Sequence, residues 1–173
     1  TNTRQEFFPL EEILAEFREY LRGSIPFDVV TVVGEGEPTL YSRLGELIAG
    51  LKKETDKPVA VITNGALLYD AEMRRELMEA DIVLPSLDAV TEEQYRKIDR
   101  PMGSIGFAEM AEGLRQFARE YQGQLWIEIM LVDGMNDSPE DIAAFKEFLG
   151  TIDYDRVYLN TPVRPPAEGF MHT

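Results

Sequence analysis

Short β-branched runs alternate with amphipathic helical segments along the whole chain, and this alternation constrains the fold more than any other feature. The runs are Phe27–Val33 (FDVVTVV), Val59–Ile62, Ile82–Leu84, Leu125–Val132 and Arg156–Leu159. Between them apolar residues recur at helical spacing: Leu10, Ile13, Leu14, Phe17 and Leu21; then Leu44, Leu47, Ile48 and Leu51. Further helices are expected over Asp70–Met78, over Thr91–Ile98 with Thr91 as cap, through Phe107, Met110, Leu114 and Phe117, and from about Pro139. A strand–helix unit of about thirty residues implies parallel strands joined by right-handed crossovers. Two architectures fit: an open doubly wound sheet, or a β/α barrel, full or partial. Both gather ligands at the carboxyl ends of their strands. The unusual polar clusters fall at such ends: Gly34–Thr39, Thr63–Gly65, Ser86–Asp88, Asp133–Asp137 and Asn160–Arg164. One shared pocket is expected.

The length, 173 residues, suits a single domain over 1–173. Its formal net charge of −15 makes this segment a poor binder of nucleic acid. No apolar run is long enough to cross a bilayer, and no signal peptide opens the chain. The absence of cysteine excludes disulfides, thiolate metal sites and thiol nucleophiles within these residues. The single histidine, His172, lies next to the last residue, so a buried imidazole base is not expected. The first residue is threonine and a helix follows almost at once, which reads as a trimmed or mature fragment.

Gly34-Glu35-Gly36-Glu37-Pro38-Thr39 superficially resembles a dinucleotide-binding turn. However, Thr39 stands where a glycine is needed, Pro38 lacks an N–H, and two glutamates would repel a phosphate. A cationic ligand suits it better, or else a tight turn in which Glu37 serves the next helix N-terminus. In Leu125–Val132, Leu125, Ile127, Ile129 and Leu131 share one face, and Trp126, Glu128 and Met130 the other. In a barrel Glu128 would therefore face the interior, either ion-paired to an arginine such as Arg156 or Arg164 or as part of a site. Ser86 and Asp88 share parity with Leu84, so both project from one strand end, as a ribose-binding pair or as a capping turn. Asn136–Glu140 reads as a helix cap with proline near the first helical position.

The order of these signals is more specific than any one of them. GEGEPTL, VITNG, LPSLDA followed by EEQYRKIDRP, IMLVDGMNDSPED and LNTPVRPP resemble, in sequence, the radical S-adenosylmethionine (radical SAM) enzymes. They are most similar to predicted iron–sulfur oxidoreductases related to wybutosine-forming tRNA enzymes, and also resemble glycyl-radical activases. The resemblance implies a partial (β/α)6 barrel, S-adenosylmethionine as cofactor, and a 4Fe–4S cluster held by a C-x3-C-x2-C loop after the first strand. That strand and loop have no counterpart here, so the five strands correspond to the second to sixth, and this chain alone lacks the cluster ligands. The resemblance also implies roles by position. Gly36, Glu37 and Pro38 would line the methionyl ammonium, largely through carbonyls. Ser86 and Asp88 would meet the ribose, Thr63 and Asn64 would line the pocket, and Leu131 and Asn160 would approach the adenine. Glu128 is a candidate for ribose or substrate. A cytoplasmic protein is implied, with its open strand edge covered by the missing segment or by another chain. Two alternatives remain: a degenerate barrel acting as a scaffold, and a non-radical β/α-barrel lyase or isomerase using Glu37, Asp88 or Glu128 as acid and base.

Overall fold

The computed structural model describes residues 3–34, 36–101 and 105–162. The elements run α1 (Leu10–Arg22), β1 (Val30–Val32), a short 3-10 turn (Pro38–Leu40), α2 (Leu44–Glu54), β2 (Val59–Thr63), α3 (Ala71–Leu77), β3 (Ile82–Pro85), α4 (Glu92–Lys97), α5 (Phe107–Glu120), β4 (Gln124–Met130), α6 (Pro139–Leu149) and β5 (Arg156–Asn160). The strands are all parallel and lie in the order β1-β2-β3-β4-β5. Strand order decides between the two architectures. A doubly wound sheet reverses direction at a switch point, whereas right-handed crossovers that always advance put every connecting helix on one face. The fold is a partial β/α barrel.

The two faces of the sheet differ accordingly. Val59, Val61, Val83, Leu125, Ile127 and Ile129 are buried against the helices, where they meet Leu47, Ile48, Leu77, Leu114, Phe117 and Phe145. The other, concave face carries Trp126, Glu128 and Met130, all half-buried, as the parity of β4 predicts. The helix starts follow their cap residues: Asp70 accepts from Glu72 N–H, Thr91 from Gln94 N–H, and Ser138 forms a capping box with Asp141 ahead of Pro139.

Two strands are shorter than the sequence predicts. Phe27–Val33 yields only Val30–Val32, because the Phe27 ring packs beside Phe17 and Tyr20 of α1, with centroids 6.4 and 5.9 Å apart. The ladder starts only where Val30 N–H meets the Pro58 carbonyl at 2.9 Å. Nor is this run buried: Val33 is 61% exposed and β1 forms an edge of the sheet. β4 ends at Met130 rather than Val132, because the Asn136 side chain takes over the backbone groups beyond it. The proline-rich exit from Val163 onward lies outside the described residues, as do Glu35 and Arg164.

Carboxylates close the sheet at its amino-terminal end. Asp81, just before β3, accepts from Val59 N–H at 2.8 Å, and Asp155, just before β5, accepts from Leu125 N–H at 2.8 Å. Asp81 also pairs with Lys52 at 2.7 Å. Burial alone would raise its pKa, but the lysine and the backbone donor outweigh burial and hold it below the ordinary value.

Candidate ligand-binding site

At the carboxyl end of β1 and β2 the acidic turn closes on itself. Glu37 Oε1 accepts from Thr39 N–H (3.0 Å), Thr39 Oγ1 (2.6 Å) and Thr63 Oγ1 (2.6 Å), while Oε2 accepts from Asn64 N–H (2.7 Å). A carboxylate so engaged is a staple between two strand ends. Glu37 caps the short Pro38–Leu40 turn rather than the next helix, α2, which starts after Arg43. The same bonds occupy the Thr63 hydroxyl, which also accepts from Gly65 N–H and is buried. The Asn64 side chain turns back to cap Ala66 N–H at 2.9 Å. Gly65 sits at φ +73°, a backbone that favours glycine. The turn's own carbonyls are partly used: Leu40 N–H bonds to Glu37 C=O and Tyr41 N–H to Pro38 C=O, so each keeps one lone pair. The Gly36 backbone is exposed.

The ends of β3, β4 and β5 are organised differently. Ser86 bridges to Glu128, and Leu87 N–H donates to the Glu128 carbonyl at 2.8 Å. Glu128 accepts from the Asn160 side-chain amide, and Met130 pairs with Asn160 along the β4–β5 ladder. Asp88 Oδ1 accepts from Met130 N–H at 2.7 Å. Ser86, Asp88, Glu128 and Asn160 therefore form one cluster on adjacent strands. The cap of α4 is Thr91, as expected, and the Asp88 carboxylate bonds across to β4 rather than to the helix start. Nor is Glu128 paired with Arg156, whose guanidinium stacks on Trp126 with 4.8 Å to the ring centroid. Leu131 has left the strand: it is half-buried against the core and donates its N–H to the Asn160 carbonyl at 2.8 Å.

The electrostatics of this end are those of a site that holds charge at a cost. Burial pushes the Asp88 carboxyl up to about 6; the Met130 N–H opposes this and the neighbouring Glu128 charge adds to it. Burial likewise pushes Asp99 up to about 7, with Asp88 as the contributing charge. Asp99 Oδ2 and the Tyr95 hydroxyl are both buried with no hydrogen-bond partner among the described residues. Ser86 and Asp88 are half-buried residues, and the Ser86 hydroxyl and Asp88 Oδ2 make no hydrogen bond to the described residues.

Sequence reasoning missed two residues that shape the cluster. Asn136 is fully buried and ties the β3 and β4 ends together. Gln94 accepts from Val90 N–H and donates to Met135 C=O and Asp141 Oδ1, which joins α4 to the start of α6. The sequence signal for Asn136, an Asn after a glycine-containing loop, is shared with ordinary helix caps and does not distinguish the two.

Comparison with known proteins decides the family. Residues 1–146 match the radical SAM superfamily. The chain belongs to that superfamily. The fold agrees: a domain of a pyruvate-formate lyase-activating enzyme from Bacteroides vulgatus is similar with a TM-score of 0.62 and 24% identity, covering 83% of each chain. A radical SAM methyltransferase from Sphaerobacter thermophilus is similar with a TM-score of 0.66 and 17% identity, over 94% of this chain and 48% of that one. Among curated proteins, UPF0026 proteins from Synechocystis and Methanocaldococcus jannaschii are 36% and 32% identical, over 94% and 99% of this chain but 60% and 54% of their own length. A protein named GTPase Obg from Brachyspira hyodysenteriae is 42% identical over 91% of this chain and 23% of its own length. The radical SAM chain described here contains no G-x-x-x-x-G-K-[ST] phosphate loop. It spans between about a quarter and three-fifths of the length of these curated relatives.

Proposed function

We propose that this chain is the S-adenosylmethionine-binding part of a radical SAM iron–sulfur oxidoreductase, its five strands being the second to sixth of the barrel. The observation that carries the reading is the contrast in hydrogen-bonding capacity at the carboxyl end of the sheet. Glu37 and Thr63 are spent on each other, whereas Ser86 Oγ and Asp88 Oδ2 keep capacity on the concave face. A hydroxyl beside a carboxylate suits the vicinal hydroxyls of a ribose. Asn160 and the Leu131 backbone then flank the adenine. Gly36, with the remaining lone pairs of Glu37 and Pro38, faces the methionyl ammonium, and Asn64 borders the pocket. Glu128, held by Asn160, is left to meet the ribose or the substrate.

An iron–sulfur cluster does not fit this chain's own residues. There is no cysteine, and no group of His, Asp and Glu among the described residues is placed to hold a metal. In the reading proposed, the ligands come from a segment outside these residues, and that segment also covers the exposed β1 edge. S-adenosylmethionine supplies a 5′-deoxyadenosyl radical only when such a cluster reduces it. The chain's own part is to bind and orient the nucleoside. An enzyme with such a cluster suits a reducing cytoplasm. No helix among the described residues is long and apolar enough to cross a membrane.

The test is to add S-adenosylmethionine to the 15N-labelled chain and map the backbone amide shifts. The reading expects saturable changes at Ser86–Asp88 and Met130–Leu131. Saturable changes confined to other parts of the molecule, or none up to about 10 mM, the weak limit of measurable affinity, would overturn it.

A further inference from the structure

The backbone ladder between β3 and β4 ends at the Ser86–Glu128 bridge and the Leu87 N–H bond to the Glu128 carbonyl. Beyond that point the two strand ends are joined by side chains. Asp88 Oδ1 takes the Met130 N–H at 2.7 Å. Asn136 then spans both ends: its Nδ2 donates to Asp88 C=O at 2.8 Å and to Met130 C=O at 2.9 Å, and its Oδ1 accepts from Val132 N–H at 2.7 Å. Both amide hydrogens and the carbonyl are used, all in a fully buried side chain. Asn136 also lies two residues before the Ser138 cap, so it links the last strand residue of β4 to the beginning of α6.

From this geometry we infer that Asn136 is a positioning residue: it fixes the Asp88 carboxylate and the Met130–Leu131 backbone relative to each other, as a rigid frame for the nucleoside. Gln94 is the second member of the same clasp, holding Val90 N–H on the β3 side and Met135 C=O on the β4 side. The inference rests on the reading of Ser86 and Asp88 as the nucleoside site. The physical need is clear. Two parallel strands that have stopped pairing diverge with their twist, and a carboxylate on one of them cannot stay on the other's N–H without a second tie. One buried amide with three bonds provides that tie. Removing it leaves two part-buried carbonyls and a buried N–H without that partner.

The test compares Asn136→Ala, Gln94→Ala and Ser138→Ala with the unaltered chain. Ser138→Ala breaks the capping box on the same loop while leaving all three Asn136 bonds in place, and reaches the clasp only through the Asp141 carboxylate that it shares with Gln94, so it controls for lost stability. Two readouts are taken on each folded variant: S-adenosylmethionine affinity by calorimetry, and the Asp88 midpoint by carboxyl 13C NMR. Asp88 is faced by Glu128 from β4, by Asp99 from the end of α4 and by the Met130 N–H. When the clasp opens, Asp88 gains solvent and its midpoint falls from about 6 toward the ordinary carboxylate value. Asn136→Ala is expected to lower affinity about tenfold or more and to shift the midpoint down by about one unit. Gln94→Ala moves both in the same direction by less, and decides the matter if Asn136→Ala does not fold. Ser138→Ala, which keeps every Asn136 bond, moves both by less than Gln94→Ala does. If a folded Asn136→Ala chain matches the unaltered chain in both readouts, or if Ser138→Ala moves them as far, the inference is wrong. If the unaltered chain binds no S-adenosylmethionine, the nucleoside reading fails; the Asp88 midpoint then still decides whether Asn136 positions that carboxylate.

Discussion

The two ends of this sheet use the same residue type for opposite purposes. At the amino-terminal end Asp81 and Asp155 each accept a backbone N–H from the start of a neighbouring strand, and Lys52 and the backbone donor hold Asp81 below its ordinary pKa. At the carboxyl end burial pushes Asp88 and Asp99 up to about 6 and 7. Carboxylates whose capacity is met by the protein stabilise it, and carboxylates left short of donors destabilise it in exchange for a place where a ligand can bind. Glu37 shows that position in the fold does not decide which kind a residue is. It sits at the ligand end and yet accepts four hydrogen bonds from the protein.

The largest expected effect follows from that staple. Glu37→Ala removes all four bonds and leaves the Asn64 N–H and the buried Thr63 hydroxyl without their acceptor, so the chain should lose about 3–4 kcal/mol in urea unfolding. A loss below about 1 kcal/mol would mean that water replaces the carboxylate, and the comparison between the ends would weaken.

The next effect is a pH dependence of opposite sign at the two ends. For Asp88 and Asp99 the native pKa lies above the unfolded one, so the native state binds more protons between about pH 4 and 7. Their part of the stability is therefore greatest below pH 4 and declines as pH rises through 6 and 7. Asp99→Asn removes its share of the decline, and should raise stability at pH 8 relative to pH 5 by about 1–3 kcal/mol, read as the difference in thermal midpoints. Asp81 works the other way: its contribution is present above its unfolded pKa near 3.8 and is lost as pH falls through the lower native value. Asp81→Ala should consequently weaken the chain at pH 7 and matter least at strongly acid pH.

These assignments also show what the sequence made legible. Hydrophobic periodicity places the long helices and the central strands, because burial on one or both faces is a local property of spacing. The parity of β4 separates Ile127 and Ile129, in the core, from Glu128, on the concave face. The clusters at strand ends are legible for the same reason. What each carboxylate does there depends on which donors the other strands bring to it, across separations such as Glu37 to Asn64 or Asp88 to Met130. No local pattern encodes those partners. Asn136 therefore reads as part of a helix cap rather than as a tie between strand ends, and β1 is shorter than its apolar run because Phe27 packs on the α1 rings instead of joining the sheet.

The smallest expected stability effect is at Ser86. Its hydroxyl has no partner among the described residues, so Ser86→Ala should change unfolding free energy by no more than about 0.5 kcal/mol. A residue that matters little to the fold is the sharpest probe of the site. The most direct measurement is therefore calorimetric titration of S-adenosylmethionine into the unaltered chain and into the Ser86→Ala, Asp88→Ala double variant. The account predicts millimolar or tighter binding to the first and a loss of about tenfold or more in the second, with its fold retained. Equal affinity in both chains would contradict the assignment of the β3 end as the nucleoside site.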